Sequence, residues 1–223
     1  MPRITRGLVD GFVYHVLNRG NGGRGIFNKD QDYRAFADLI KEAKARYAIK
    51  IFAYCLMPNH FHMVVAPIRA EELSKGMQWL MTSHVRRYHQ HYGTSGHIWQ
   101  GRFKSFIIQQ DNHLLTVLRY VEGNPVRAGV VNSAKDWLWS SHGETISEKS
   151  RLLLDEIPIE LPEDWNGYVD EPLTENELEK LHQSVNRQSP YGTSAWQIEV
   201  SKELRLESTL RPRGRPRNRP GKE

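Results

Sequence analysis

Two histidines stand one residue apart in Met57-Pro58-Asn59-His60-Phe61-His62-Met63-Val64-Val65, an otherwise apolar, strand-like run. Successive side chains alternate faces in a strand, so His60 and His62 point the same way while Phe61, Met63 and Val65 enter the opposite layer. Their ring nitrogens can converge on one point of a sheet surface. Imidazole is a common ligand for divalent metals, and two alone leave positions open for substrate and water. The same pair could be hydrogen-bonded structural histidines, and a third ligand is what decides between the two. His84 falls on the apolar stripe of a helix and reads as a satisfied core residue. His89 and His91 sit at a helix end, where the dipole accounts for them. The H-E-x-x-H spacing of a zinc hydrolase is absent from the sequence.

Arg119-Tyr120-Val121-Glu122-Gly123-Asn124-Pro125-Val126 supplies further candidates. Tyr120 and Asn124 are four apart, so a phenol and a carboxamide leave one helical face together. Pro125 biases Asn124 away from helical geometry and places it at a frayed last turn. The plainer alternative is a buried tyrosine and an asparagine that caps the helix. In "GRFKSF" (101–106), Arg102 and Lys104 alternate with Phe103 and Phe106. Cations suit a nucleic-acid backbone and rings suit base stacking, worth ~1–3 kcal/mol per base, although a solubilising surface has the same composition. Arg86, Arg87, Arg119 and Arg127 are candidates for further phosphate contacts.

The elements that must position these residues follow from periodicity. Strands are expected over 12–17, 49–56, 60–66 and 99–110. Helices are expected from Asp30 to Tyr47, through Leu73, Met77, Leu80 and Tyr88, and from Asp111 through Leu114, Val117, Leu118 and Val121. The order β-α-β-β-α-β-α implies an α+β, ferredoxin-like antiparallel sheet with helices on one face. Beyond "DWLWSSH" (136–142) comes an acidic stretch read as loops, then helices over 175–186 and 194–206.

The 223 residues carry one cysteine, Cys55, which excludes an internal disulfide and suits a reducing cytosol. No secretory signal is expected and no apolar run is long enough to span a bilayer. Charge is segmented. Residues 1–142 hold 19 Lys+Arg against 10 Asp+Glu, residues 143–210 hold 6 against 15, and residues 211–223 hold 6 against 1. Two basic segments around an acidic one suggest two polyanion-contacting surfaces. The chain therefore divides into a main α+β domain (1–142) that carries the candidate residues, an acidic linker and helical accessory region (143–209) and a basic tail (210–223) that cannot fold alone.

A histidine-hydrophobic-histidine strand, followed by a helix with a tyrosine and an amide residue four positions later, resembles the single-tyrosine HUH transposases. More narrowly, "MPNHFHMVV", "WQGRFKS" (99–105), "YVEGNPVRAG" (120–129) and "DWLWSS" (136–141) are similar to the REP-associated tyrosine transposases. These are bacterial relatives of the transposases of small insertion sequences, and the resemblance covers residues ~10–142 in order and with compatible spacing. It implies the HUH endonuclease fold, with His60 and His62 as metal ligands and Tyr120 as nucleophile. Asn124 takes the place of the third ligand, glutamine in many insertion-sequence relatives. An amide oxygen is a harder, weaker ligand than imidazole, which suits Mg²⁺ or Mn²⁺ over tightly held zinc.

The implied activity is cleavage and rejoining of single-stranded DNA at hairpin repeats through a 5′-phosphotyrosine. The implied enzyme is a monomer or homodimer of the bacterial cytoplasm and nucleoid, with no membrane partner. Pro212-Arg213-Gly214-Arg215-Pro216 resembles an AT-hook core, in which Arg213 and Arg215 would enter the narrow minor groove of A/T-rich duplex. A generic basic tail is the alternative there. Two rival readings of the whole remain. One is a DNA-binding regulator that keeps the fold without catalysis, which has no need of the trio His60, His62 and Tyr120. The other is a small-molecule metallohydrolase, which suits neither the basic surfaces nor the tail.

Overall fold

The alternating apolar runs form a four-stranded antiparallel sheet in the computed structural model, which describes residues 7–147 and 153–211. The strands are β1 (Val13–Arg19), β2 (Ile49–Met57), β3 (His60–Pro67) and β4 (Lys104–Ile108), in the order β2-β3-β1-β4. With α1 (Asp30–Arg46), α2 (Ala70–Tyr92) and α3 (Asn112–Glu122), the chain order is the expected β-α-β-β-α-β-α, and the fold is α+β and ferredoxin-like. The AT-hook-like run with Arg213 and Arg215 lies outside the described residues.

Strand alternation divides the core in two. Tyr14, Val16, Phe61, Met63 and Val65 face one way and are buried beneath α1 and α2, which contribute Phe36, Ile40, Leu73, Met77 and Leu80. Val13, Val64, Phe106 and Ile108 face the other way and pack against Leu114, Val117, Leu118 and Val121 of α3. Helices thus flank both faces rather than one. The two crossover helices share a side, and α3, which follows the last strand, takes the side they leave open. Asp111 caps α3 by accepting from His113 N at 2.8 Å, and α2 stops where Gly93 turns left-handed at φ +61°.

β4 is shorter than the expected 99–110. Its forerunner bends at Gly101 (φ +135°) and meets the sheet without forming a ladder, through a bridge between Trp99 and Gly20 and a hydrogen bond from Asn18 Nδ2 to Gly101 O at 2.9 Å. After α3 come the short α4 (Asn124–Arg127), α5 (His142–Thr145) and α6 (Trp165–Asp170), then α7 (Glu175–Arg187), α8 (Ser194–Glu203) and α9 (Glu207–Leu210). The expected helix over 194–206 breaks at Arg205, whose φ is +57°. The segment beyond 142 borders both sheet edges. Asp155 N donates to Ile51 O at 2.8 Å beside β2, and Tyr191 N donates to Ile107 O at 2.8 Å beside β4. Leu181 of α7 is fully buried against the α3 side of the sheet. Among the described residues no helix is long and apolar enough to cross a membrane.

Candidate active site

His60 begins β3 directly after the Pro58-Asn59 turn, and the loop following β1 clasps that turn. Gly20 N donates to Asn59 O, and Ile26 N to Pro58 O, each at 2.8 Å. A Cβ at Gly20 would stand 2.3 Å from Arg24 O, so only glycine fits this crossing. Asn59 Nδ2 donates to Gly23 O at 3.1 Å, which turns Asn59 Oδ1 toward His60 Nδ1, 2.6 Å away. An amide oxygen only accepts, so His60 carries its proton on Nδ1 and offers Nε2 as a lone pair.

His62 lies on the same face, its ring 4.9 Å from that of His60 and turned by 87°. Its Nδ1 meets Nε2 of His15, from β1, at 2.8 Å. Burial, aided by the charges of Arg19 and Arg127, lowers His60 to about 4 against an opposing hydrogen bond with Asn124. Burial, with His15, His60 and Arg127 adding to it, holds His62 well below the ordinary imidazole range, and burial takes His15 to about 3. All three rings are therefore neutral at pH 7, the form in which imidazole binds metal.

Tyr120 and Asn124 reach this face from the helices that cover it, Tyr120 from α3 and Asn124 from α4. α3 ends at Glu122 instead of fraying through Asn124. Gly123 separates it from α4, because Pro125 has no N–H to continue the helical ladder. Gly123 itself permits close approach: a Cβ there would stand 3.0 Å from Val169 O of α6. The Tyr120 ring stands edge-on to His62 at 5.6 Å, and Asn124 hydrogen-bonds His60. His60, His62, Tyr120 and Asn124 are thus brought together. Arg127 sits with Cζ 4.1 Å over the Tyr120 ring, and its Nη1 and Nη2 donate to Tyr120 O at 3.3 Å. Burial pushes the Tyr120 phenol up, and the charge and hydrogen bond of Arg127 oppose it.

A cleft of about 610 Å³ opens beside His60, lined by Arg19, Gln100, Arg102 and Lys104, with Val185 and Asn186 of α7 opposite. Arg102 and Lys104 therefore lie where a polyanion would approach the histidines. Other expected contacts do not. Arg119 is buried, its Nη2 donating to Glu171 O at 2.9 Å and Pro172 O at 3.0 Å, with the guanidinium 4.6 Å from the Tyr168 ring. It fastens α3 to the chain after α6 and has no reach to a phosphate. Arg86 and Arg87 are exposed on α2, across the sheet from the cleft. Phe103 and Phe106 are buried in the two core layers, so neither is open to base stacking as the alternation suggested. His84 is buried against Phe27, Phe36 and Trp99, but its Nδ1 has no partner, so it is a core histidine without being a satisfied one.

The donor set fits a loosely held hard cation. Among the described residues no three His, Cys, Asp or Glu side chains converge as a metal cage. Two neutral imidazoles and the Asn124 amide oxygen, completed by phosphate or water oxygens, would suit Mg²⁺ or Mn²⁺.

Several residues of this site escaped sequence reasoning. His15 falls in the expected strand over 12–17 and Asn59 in the turn before His60, but only the β1–β3 register and the Gly23 contact give them roles. Glu122 is buried two residues from Tyr120 and accepts from Ser141 Oγ at 2.6 Å, His142 Nδ1 at 2.8 Å, Thr145 Oγ1 at 2.8 Å and Trp165 Nε1 at 2.8 Å. Burial opposes charge on His142, but the hydrogen bond and charge of Glu122 prevail and raise it. The "WSSH" run thus anchors the end of α3. His182 of α7 stands 6.4 Å from the Tyr120 ring.

Three comparisons bear on this arrangement. The family model described as IS200-like transposase matches residues 8–124. A Haemophilus influenzae protein named "Putative REP-associated tyrosine transposase" is 30% identical over 146 residues, which span 60% of this chain and 77% of that one. The solved structure of a REP-associated tyrosine transposase bound to a REP hairpin superposes with a TM-score of 0.57 at 18% identity, over 72% of this chain and 95% of the other, a likeness of fold. With the family model spanning more than half of its length and the Haemophilus relative aligned over most of its own, the chain belongs to the IS200-like transposases, in their REP-associated tyrosine branch.

Proposed function

We propose that this transposase cuts and rejoins single-stranded DNA at hairpin repeats through a covalent bond to Tyr120. One observation carries the reading: the phenol, two imidazoles and an amide from separate elements meet beside a cleft lined by Arg19, Arg102 and Lys104. The hairpin in the related structure supports DNA of that form as the substrate.

The basic side chains would hold the backbone so that one phosphate lies over His60. Tyr120 Oη would attack phosphorus while the P–O3′ bond breaks. The phenol gives up its proton and the departing 3′ oxygen takes one up, leaving a 5′-phosphotyrosine and a free 3′-hydroxyl. Because the phosphodiester energy is kept, a second 3′-hydroxyl can reverse the step and join strands. A divalent cation held by His60 Nε2, His62 Nε2 and the Asn124 amide would polarise the phosphate and offset charge developing on it. The buried phenol starts as a poor nucleophile, and Arg127 is the group placed to favour its ionised form. Tyr120 is 6% exposed, so Arg127 and His182, which cover it, must yield to an incoming phosphate. Acting on chromosomal repeats would place the protein in the bacterial cytoplasm.

Labelled hairpin DNA with Mn²⁺ should give an SDS-resistant adduct with the unaltered protein and none with Tyr120→Phe. An equal adduct from both removes Tyr120 from the role. Tight hairpin binding with no cleavage under any divalent cation favours the regulator reading instead.

A further inference from the structure

The two histidines are not held alike. His60 has its tautomer dictated by a chain of amides, Gly23 O to Asn59 to Nδ1. His62 has another imidazole in that place, and an imidazole nitrogen can either donate or accept. The His15 and His62 rings are 10° from coplanar with centroids 5.0 Å apart and the facing nitrogens 2.8 Å apart. Rings so placed meet in line, edge to edge, with the lone pair of one in the plane of the other's N–H. Register makes the contact possible. His15 pairs with Val64 and Leu17 with His62, so His15 and His62 are diagonal neighbours on one face.

For two neutral rings there are two arrangements. If His15 Nε2–H donates to His62 Nδ1, the His62 proton occupies Nε2 and no lone pair is offered on that side. If His62 Nδ1–H donates to His15 Nε2, His62 offers Nε2, and the His15 proton moves to Nδ1. That nitrogen is buried and has no partner. It is unpartnered in both arrangements, so the surroundings do not lock this pair as they lock His60. Metal-binding histidines commonly donate their second N–H to an acceptor that fixes the ring. His15 is what stands at that position here.

We infer that His15 is a positioning residue for the cation: its Nε2 accepts the His62 Nδ1 proton, aims the His62 Nε2 lone pair at the ion, and changes tautomer together with His62 when the ion binds. Each ring keeps one proton throughout. On His62 it passes from Nε2 to Nδ1, and on His15 likewise, so the switch releases none. The inference rests on the metal reading above.

Long-range ¹H–¹⁵N spectra of the imidazoles in the full-length protein, with and without Mg²⁺, read the tautomers directly. His60 should be Nδ1–H in both, whereas His62 and His15 should both be Nε2–H without Mg²⁺ and Nδ1–H with it, and Nδ1–H in both states would overturn the switch. A His62 that stays Nε2–H with Mg²⁺ bound overturns the inference. Mn²⁺ affinity by electron paramagnetic resonance gives an independent reading. His15→Phe should weaken it 10–100-fold, the usual loss for such partners, and His15→Gln, which retains an acceptor, should recover part. Wild-type affinity in His15→Phe also overturns the inference, whereas loss of Mn²⁺ binding in His62→Ala preserves the metal reading. Mn²⁺ binding unchanged in both His60→Ala and His62→Ala defeats both. Should His15→Phe fail to fold, the spectra of the unaltered protein decide.

Discussion

Arg127 shows how one residue can carry two expectations at once. As a cation near the site it reads as a phosphate contact, yet its guanidinium lies 4.1 Å over the Tyr120 ring and bonds that residue's carbonyl. It opposes the burial that raises the phenol. Replacing it by glutamine should move the alkaline rise of the single-turnover cleavage rate, at saturating DNA, to higher pH. At fixed pH the loss is about tenfold for every unit by which the phenol rises. A profile that keeps its midpoint shows that Arg127 serves DNA binding alone. The chemistry-bearing types were legible at this scale because His60 and His62 are set by spacing along one strand, and Tyr120 and Asn124 by a four-residue interval that brings them together even across the break between α3 and α4. His15 and Asn59 were not, since their roles depend on strand register and on one carbonyl from a glycine loop. Arg119 misled for the complementary reason: sequence shows a cation but not the Glu171 and Pro172 carbonyls that claim it.

At the scale of elements, the end of α3 is the part that must not move. Glu122 holds it by four hydrogen bonds, three of them from the segment that follows α4 and one from α6. A buried carboxylate satisfied this fully leaves several stranded donors when removed. Glu122→Ala should cost about 3–5 kcal/mol in urea unfolding, and a loss below 1 kcal/mol would show the anchor to be incidental. Long periodic elements were read well from sequence: α1, β2 and β3 lie within a residue or two of expectation. α6 was missed because its six residues are too few to show a helical period, and β4 was overdrawn because Gly101 bends the chain before Lys104. The "DWLWSS" motif was recognised as a resemblance, but its physical meaning, a clamp on Glu122, needed the third dimension.

Across the whole molecule, the segmented charge and the buried histidines each have a measurable consequence. Arg102 and Lys104 line the cleft from β4 and the bend before it, so the double change to alanine should weaken hairpin binding. The slope of log affinity against log salt should fall by about 0.7 for each single-strand phosphate that the protein no longer neutralises. An unchanged slope would move the DNA path elsewhere. His15, His62 and His84 are buried with folded values below their unfolded value near 6.5, and His84 is lowered to about 4 by burial first. As pH falls from 6.5 the unfolded chain takes up protons that the folded chain refuses. Stability then falls by about 1.4 kcal/mol per unit for each group. His60, also lowered to about 4 chiefly by burial, adds a fourth group in the same sense, and His142, raised by Glu122, acts in the opposite sense as one group against four. In chelator, the urea midpoint should drop markedly between pH 7 and 5, and a flat profile would contradict the burial of these rings.

The covalent step itself can be located on the chain. The hairpin adduct formed with Mn²⁺ is digested with nuclease and trypsin, and the peptide carrying the residual 5′ nucleotide is sequenced by mass spectrometry. Cleavage after Arg119 and Arg127 isolates Tyr120–Arg127, and the nucleotide mass should lie on its tyrosine. A nucleotide on any other tyrosine, or on a serine, would contradict the account.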